Sequence, residues 1–438
     1  MRALFVHTPL SGAAFNTSIA ALSAYLKQRG HETRLLLVPP SPRLDDVARL
    51  MQDSAADVVA FSFMTCRLDL VRKLVPVARA ALPDARVIAG GAHPTSYPQP
   101  TLDLGFDAIC LGEGEEPLCR LLGDPVGEHP GIWRREGPVP TERWWAEDVD
   151  ALPDWDRALF GDVRNSGNRF EAAIGVALAR GFCPYSCTFC GVDGYRRING
   201  VSSAKAMRLR SVERVLTEIE NARPLAEPAA GFAAWDEVLP SNLTWLSEFC
   251  RQYRARVNLP FACQLRVEQV RPELVAALVE AGCDYVVLGV ETGDEEYRKR
   301  ILNKPFTNER VKQAFSLLHG AKIATFCSFM IGLPFETPKM LAASIRLAQE
   351  LRPSELSWKY YTPERGTMLF GLVEREGLVI ERYVDHPFGA NEAMVRMTRC
   401  TQRDLDKASE AFRLLRGDGV RGTFEQDSEE PLRLELRA

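Results

Sequence analysis

Along the first 140 residues, short apolar, β-branched runs alternate with stretches whose apolar residues recur at helical spacing. Residues 3–7 read as a first strand, and residues 18–29, with Ile19, Leu22, Tyr25 and Leu26 at helical spacing, as a first helix. Strands at 32–38, 57–62, 86–89 and 106–111, with a helix at 68–81, continue the alternation. Such a pattern folds as a parallel sheet between helices, so residues 1–140 predict an α/β, Rossmann-like doubly wound unit. Sheets of this kind bind ligands at the carboxyl ends of their strands.

Residues 141–170 interrupt the pattern with an acidic, aromatic and proline-broken stretch that predicts a linker. From 171 to 370 the alternation resumes. Strands are expected at 174–179, 230–235, 260–265, 285–289, 324–331 and 355–361, and helices at 210–222, 243–253, 272–281, 308–320 and 339–350. About six strand–helix units predict a partial (β/α)6 barrel, whose chemistry sits at the carboxyl ends of its strands. Residues 371–438 form a small C-terminal extension, with helices at 372–377 and 405–416 and a charged stretch at 425–431 that is either a tail or a strap across the barrel mouth.

Composition changes this picture little. The 438 residues suffice for two or three domains, and 46% hydrophobic and 26% charged residues with net charge −4 describe an ordinary globular chain. That balance argues against nucleic acid or an anionic membrane surface as the main partner. No apolar run reaches the roughly 20 residues of a membrane helix, and the opening Met1 to His7 reads as a strand rather than a leader. The eleven cysteines are scattered apart from one triplet, which makes a disulfide framework unexpected and a reducing, cytoplasmic location the expectation.

That triplet, Cys183, Cys187 and Cys190, has the spacing C-x-x-x-C-x-x-C. Buried core cysteines would follow the period of one element, but Gly181, Pro184, Ser186, Thr188 and Gly191 describe a loop. A structural zinc site would show a second paired unit, which the chain lacks. Thiolates are the usual ligands of iron–sulfur clusters, and a four-iron cluster ordinarily takes four. Three leave one iron open to a small molecule.

The loop resembles the signature of the radical S-adenosylmethionine (SAM) superfamily. The resemblance implies a [4Fe–4S] cluster on Cys183, Cys187 and Cys190 whose open iron chelates SAM, reductive cleavage of SAM to a 5'-deoxyadenosyl radical, and an external electron donor of flavodoxin or ferredoxin type. Phe189 matches the family's aromatic beside the adenine. Gly289-Val290-Glu291-Thr292 resembles its G-x-E segment, with Glu291 for SAM's amino group or ribose; Arg266 offers a fork to SAM's carboxylate. Barrel ion pairs are the alternative reading of both charged residues. Asp236 and Glu237, at a strand end, are the expected catalytic pair for a polyhydroxylated substrate. Tyr360 to Thr367 resembles the family's closing T-P-x-x-G-T turn, with Tyr361 and Glu364 expected to face substrate.

Gly90-Gly91-Ala92-His93-Pro94-Thr95 and Gly112-Glu113-Gly114-Glu115 resemble the cobalamin-binding-type domain found ahead of many such barrels; tight turns are the plainer reading of these glycines. The cobalt-ligating D-x-H-x-x-G is absent: His7 has no upstream Asp, and Leu10 stands where Gly is needed. His93 reads as a turn residue. The favoured expectation is a lyase, specifically a dehydratase that removes a hydroxyl from a sugar diol in an aminoglycoside, as in antibiotic biosynthesis, with a partner reductase compatible with that scheme. A cobalamin-dependent radical SAM methyltransferase is the alternative, and a scaffold carrying an inert cluster the third.

Overall fold

The computed structural model describes residues 1–9, 15–161, 169–226, 230–383, 391–416 and 434–438. They form two compact units, Met1–Ser166 with Asp427–Ala438, and Gly167–Gln426.

In the first unit the strands are β1 (Arg2–His7), β2 (Glu32–Leu37), β3 (Val58–Ser62), β4 (Arg86–Gly90), β5 (Ala108–Cys110) and β6 (Ile132–Arg134). The sheet runs β2-β1-β3-β4-β5-β6, parallel except for β6. Leu4, Val6, Val59, Phe61 and Val87 are buried, and Val47, Met51, Val71 and Leu74 of two helices pack on them. Those runs read as continuous apolar stretches because helices cover such strands on both faces. The strand order reverses between β1 and β3, so their carboxyl ends open a crevice, the usual ligand position of a doubly wound sheet. Asn16 caps the first helix, Thr17–Gln28, by accepting from the Ile19 N–H.

Residues 141–161, expected in a linker, are packed into this unit. The Ala146 N–H donates to Glu113, the Ser23 hydroxyl to Asp156, and Trp155 lies against Phe15. The expected tail or strap at 425–431 lies outside the described residues.

In the second unit, β7 (Ile174–Val176) is followed by β8 (Ala179–Gly181) and β9 (Met207–Leu209), and then by β10 (Phe232–Ala234), β11 (Phe261–Leu265), β12 (Cys283–Glu291), β13 (Ala324–Ile331) and β14 (Glu355–Tyr360). β7, β10, β11, β12, β13 and β14 pair in parallel in chain order, which is the expected six-stranded barrel wall. The strand expected over 174–179 is split. Asp236 draws the Leu178 and Ala179 N–H groups away from the β7 line, and β8 and β9 form a separate antiparallel ribbon. Asn242, Thr307 and Thr337 cap the helices Leu243–Arg256, Asn308–Gly320 and Pro338–Leu351. The helices Met368–Arg375 and Gln402–Arg416 belong to this unit, the latter placing Phe412 against Trp358 of β14. The last strand, β15 (Glu435–Arg437), instead pairs antiparallel with β2 of the first sheet. No helix among the described residues is long and apolar enough to cross a membrane.

One buried cation organises the wall's far side. Arg298 is fully buried and donates to the carbonyls of Thr292 and Phe306 and to Asn308 Oδ1. Arg298→Met strands these acceptors at roughly 1–3 kcal/mol each. Its expected cost is at least about 3 kcal/mol, read as a lower denaturation midpoint of the full chain.

Candidate active site

The cysteine loop leaves β8 and ends in the helix Gly191–Ile198. Each sulfur meets a donor. The Tyr185 N–H serves Cys183, the Val192 and Asp193 N–H groups serve Cys190 at the helix start, and Arg266 Nη1 donates to Cys187 Sγ at 2.9 Å. Burial pushes the Cys190 thiol up to about 12, against those N–H groups, with Cys187 as a further raising influence. All three cysteines are free, and among the described residues no three His, Cys, Asp or Glu side chains converge on one metal ion. Three soft sulfurs on one loop, each supplied with a donor that favours its anionic form, fit the iron–sulfur group that the spacing implies.

Neighbouring segments hold the loop in shape. Thr188 N–H and Oγ1 donate to the carbonyls of Leu302 and Ile301, and Asn303 Nδ2 donates to Ser186 O at 2.7 Å. Leu369 N–H donates to Thr188 O, and Arg196, ion-paired with buried Asp193, reaches Ser186 Oγ. A Cβ on Gly191 would lie 2.4 Å from Glu364 Oε1, so a side chain there would have to displace that carboxylate. Glu364 therefore lies against the start of the helix that follows the loop, where a carboxylate is favoured. Tyr361 departs from expectation: it is buried in an apolar cluster that Phe189 packs against.

At the end of β12, Glu291 has a left-handed backbone, φ 72°, and its carboxylate pairs with Lys304 at 2.8 Å, both side chains nearly buried. Lys304 also donates to Gly289 O, and a Cβ on Gly289 would lie 2.3 Å from Glu291 Oε1 and 3.0 Å from Lys304 Nζ. Glycine at 289 thus makes room for the pair. Lys304 and Asn303 both belong to the segment that Arg298 anchors, so one stretch of chain supports the cysteine loop and Glu291 together. Sequence reasoning missed Arg298, Asn303 and Lys304. The one available signal was an Asn-Lys-Pro break shortly after a strand-end glutamate.

The two expected catalytic carboxyls separate. Asp236 accepts from the Leu178 and Ala179 N–H groups, 2.8 Å each, and so shapes the approach to the cysteine loop. Burial pushes its carboxyl up to about 6, against those N–H groups and Arg210. Glu237 is solvent-accessible but stands among enough protein for desolvation to raise its pKa, and its charge is felt at Cys183 and Cys190. Arg266 is held on Cys187, ion-pairs with Glu268 at 2.7 Å and lies 4.1 Å from the Tyr185 ring.

At the first unit's strand ends, His93 is hydrogen-bonded to Thr65 and stacked on Phe63, which packs it into the fold. β1 ends in buried His7, followed by Thr8, while Ser62, Gly90 and Gly91 leave the ends of β3 and β4 with short side chains or none.

A parallel six-stranded wall with a three-cysteine loop following the β8 ribbon strand is the makeup of a radical SAM enzyme, and residues 180–348 match the Radical SAM superfamily. Residues 8–122, ahead of that barrel, match the B12 binding domain. The barrel implies a [4Fe–4S] cluster and SAM as cofactors. Among curated relatives, the anaerobic magnesium-protoporphyrin IX monomethyl ester cyclase of Cereibacter sphaeroides is 27% identical over 84% of this chain and 63% of its own length. The cytidylyl-2-hydroxyethylphosphonate methyltransferase of Streptomyces wedmorensis is 23% identical over 76% of this chain and 70% of its own. The chain thus spans under two thirds of the first of these relatives. Among solved structures, the cobalamin-dependent radical SAM enzyme OxsB aligns with TM-score 0.69 and 17% identity, over 93% of this chain and 66% of that one. The radical SAM methyltransferase TsrM from Kitasatospora setae aligns with TM-score 0.64 and 18% identity, over 85% and 76%. At these identities the structural likeness speaks for the fold.

Two outcomes follow from the site. Asp236→Ala frees the Leu178–Ala179 turn and is expected to lower the loop's affinity for iron about tenfold, measured as iron and sulfide per chain after anaerobic reconstitution. Glu336, fully buried, accepts from the Gly332 and Leu333 N–H groups, and burial pushes its carboxyl up to about 8. Its folded form keeps a proton that the unfolded chain loses near the ordinary value of 4.5. Its contribution is therefore full below that value, declines as pH rises and is gone above about 8. Glu336→Gln, which mimics the neutral acid, is expected to flatten this decline in a series of melting temperatures against pH.

Proposed function

We propose that this chain is a cobalamin-dependent radical SAM methyltransferase acting on a small polar metabolite. The observation that carries the reading is the first unit, whose residues 8–122 match the B12 binding domain and whose strand order opens a crevice between β1 and β3. Ser62, Gly90 and Gly91 at the ends of β3 and β4, with Thr8 just beyond His7 of β1, suit a broad planar ligand held by backbone and mostly short side chains. With His93 engaged in packing, the corrin would take no imidazole from that residue. The named relatives, a cyclase and a methyltransferase, and the cobalamin-dependent structural neighbour support this better than dehydration. Dehydration is weakened further because Asp236, one half of its acid–base pair, is occupied by backbone.

Once bound, the cluster and SAM supply a 5'-deoxyadenosyl radical that takes a hydrogen atom from substrate, and cobalamin supplies a methyl group. Cys183, Cys187 and Cys190 would hold the cluster. Glu291, paired with Lys304, would accept from SAM's amino group or ribose hydroxyls, and Phe189 would line the adenine side. Glu237 offers an anionic contact to a substrate hydroxyl or amine near the thiols. The electron comes from an external donor of flavodoxin or ferredoxin type.

The test is anaerobic reconstitution with iron, sulfide and cobalamin, followed by SAM and a chemical reductant. Stoichiometric cobalamin retained through gel filtration, with 5'-deoxyadenosine formed, is the expected result; Cys187→Ala should abolish 5'-deoxyadenosine while retaining cobalamin. No cobalamin retention would reject the cobalamin reading. Unchanged SAM cleavage in Cys187→Ala would reject the assignment of the cluster to this loop, and no SAM cleavage by the reconstituted wild type would reject the enzyme assignment and leave the inert-cluster scaffold.

A further inference from the structure

Among the three sulfurs, Cys183 and Cys190 receive backbone N–H groups, whereas Cys187 receives a side chain. That side chain is a permanent cation. Arg266 is 7% exposed and held at both terminal nitrogens, Nη1 on Cys187 Sγ at 2.9 Å and Nη2 on Glu268 Oε1 at 2.7 Å, with the guanidinium 4.1 Å from the Tyr185 ring centroid and Nε unpartnered. Its own N–H donates to Gln269 Oε1, and Gln269 Nε2 donates to Leu239 O, which secures the backbone from which the guanidinium reaches the loop. Nothing about SAM binding requires a guanidinium to be spent on a thiolate sulfur.

We propose that Arg266 is a positioning residue that sets the reduction potential of the cluster through Cys187, with Glu268 as the counter-charge that limits its effect. The inference rests on the assignment of the cluster to Cys183, Cys187 and Cys190. Reduction by one electron adds negative charge, part of which spreads onto the thiolate sulfurs. A charge-assisted hydrogen bond to one of those sulfurs in a buried place favours the reduced state and raises the potential. Glu268, paired with the same guanidinium, draws the potential back down. Removing Arg266 and neutralising Glu268 should therefore shift the potential in opposite directions, which loss of packing alone would not do.

The measurement is the midpoint potential of the anaerobically reconstituted full chain without SAM, titrated with dithionite and followed by electron paramagnetic resonance, with iron and sulfide counted in each sample. Arg266→Met at full iron content is expected to show about a tenfold lower ratio of reduced to oxidised cluster at a fixed solution potential, or about 59 mV for one electron. Arg266→Lys, which keeps the charge and a donor, should recover part of that shift, and Glu268→Gln should move it upward. An unchanged potential in Arg266→Met at full iron content overturns the proposal, also where SAM binding weakens, since that result assigns Arg266 to SAM's carboxylate. Where Arg266→Met holds no iron, Glu268→Gln decides: an upward shift supports the proposal, and no shift overturns it. Wild-type iron content in Cys187→Ala would instead bring down the cluster assignment.

Discussion

The buried pair of Lys304 and Glu291 is the contact through which the two halves of the barrel's chemistry communicate. Lys304 stands in a segment whose neighbours Ile301, Leu302 and Asn303 hold Ser186 and Thr188 of the cysteine loop. Neither charge would be tolerated there alone, because a buried ion without its partner costs several kcal/mol, on the order of 3–5. Such a pair adds little net stability over apolar residues. Its value lies in direction: it fixes where one carboxylate points relative to one loop, a requirement that apolar packing meets poorly.

Arg298 makes the pair possible. The helix Glu295–Arg300 reads as a charged surface, and most of it is; Tyr297 and Arg298 turn inward, and Arg298 gathers the carbonyls of Thr292 and Phe306, which the returning chain leaves without partners. Asp236 performs the same service on the other side of the loop with opposite sign, collecting two N–H groups where β7 stops. In both places the irregular backbone needed to present ligands is paid for by one buried charge satisfied by several peptide dipoles.

Much of the fold was legible because its signals are periodic. β-branched runs separated by amphipathic helices specified a doubly wound sheet and a six-unit barrel, and within residues 171–370 what they did not specify was the split between β7 and β8, the strand β9 and the short helices Gly191–Ile198 and Glu295–Arg300. The cysteine triplet was legible because its ligands are close in sequence. Glu291 was placed at a strand end, but its partner was not, since Lys304 lies beyond a short helix and nothing in a single chain says which of Arg298, Lys299, Arg300 and Lys304 turns inward. Asp236 and Glu237 show the complementary limit. Adjacent carboxylates look alike in sequence, and only tertiary hydrogen bonds reveal that Asp236 serves the backbone. The packing of residues 141–161 was missed because tryptophans among acids resemble an exposed linker until Phe15 and Glu113 are seen to receive them.

The pairing of β15 with β2 bears on how the chain comes to be folded. The first sheet borrows its last strand from sequence that follows the entire barrel. As the chain leaves the ribosome, the β2 edge must wait, with its backbone groups unpaired, while the barrel is synthesised. Closing that edge is a contact between very distant residues, the kind that forms late. The first unit can therefore assemble its core early, but its outer edge is sealed only after the barrel sequence has been made, so completion of the first sheet reports that the barrel has already been translated.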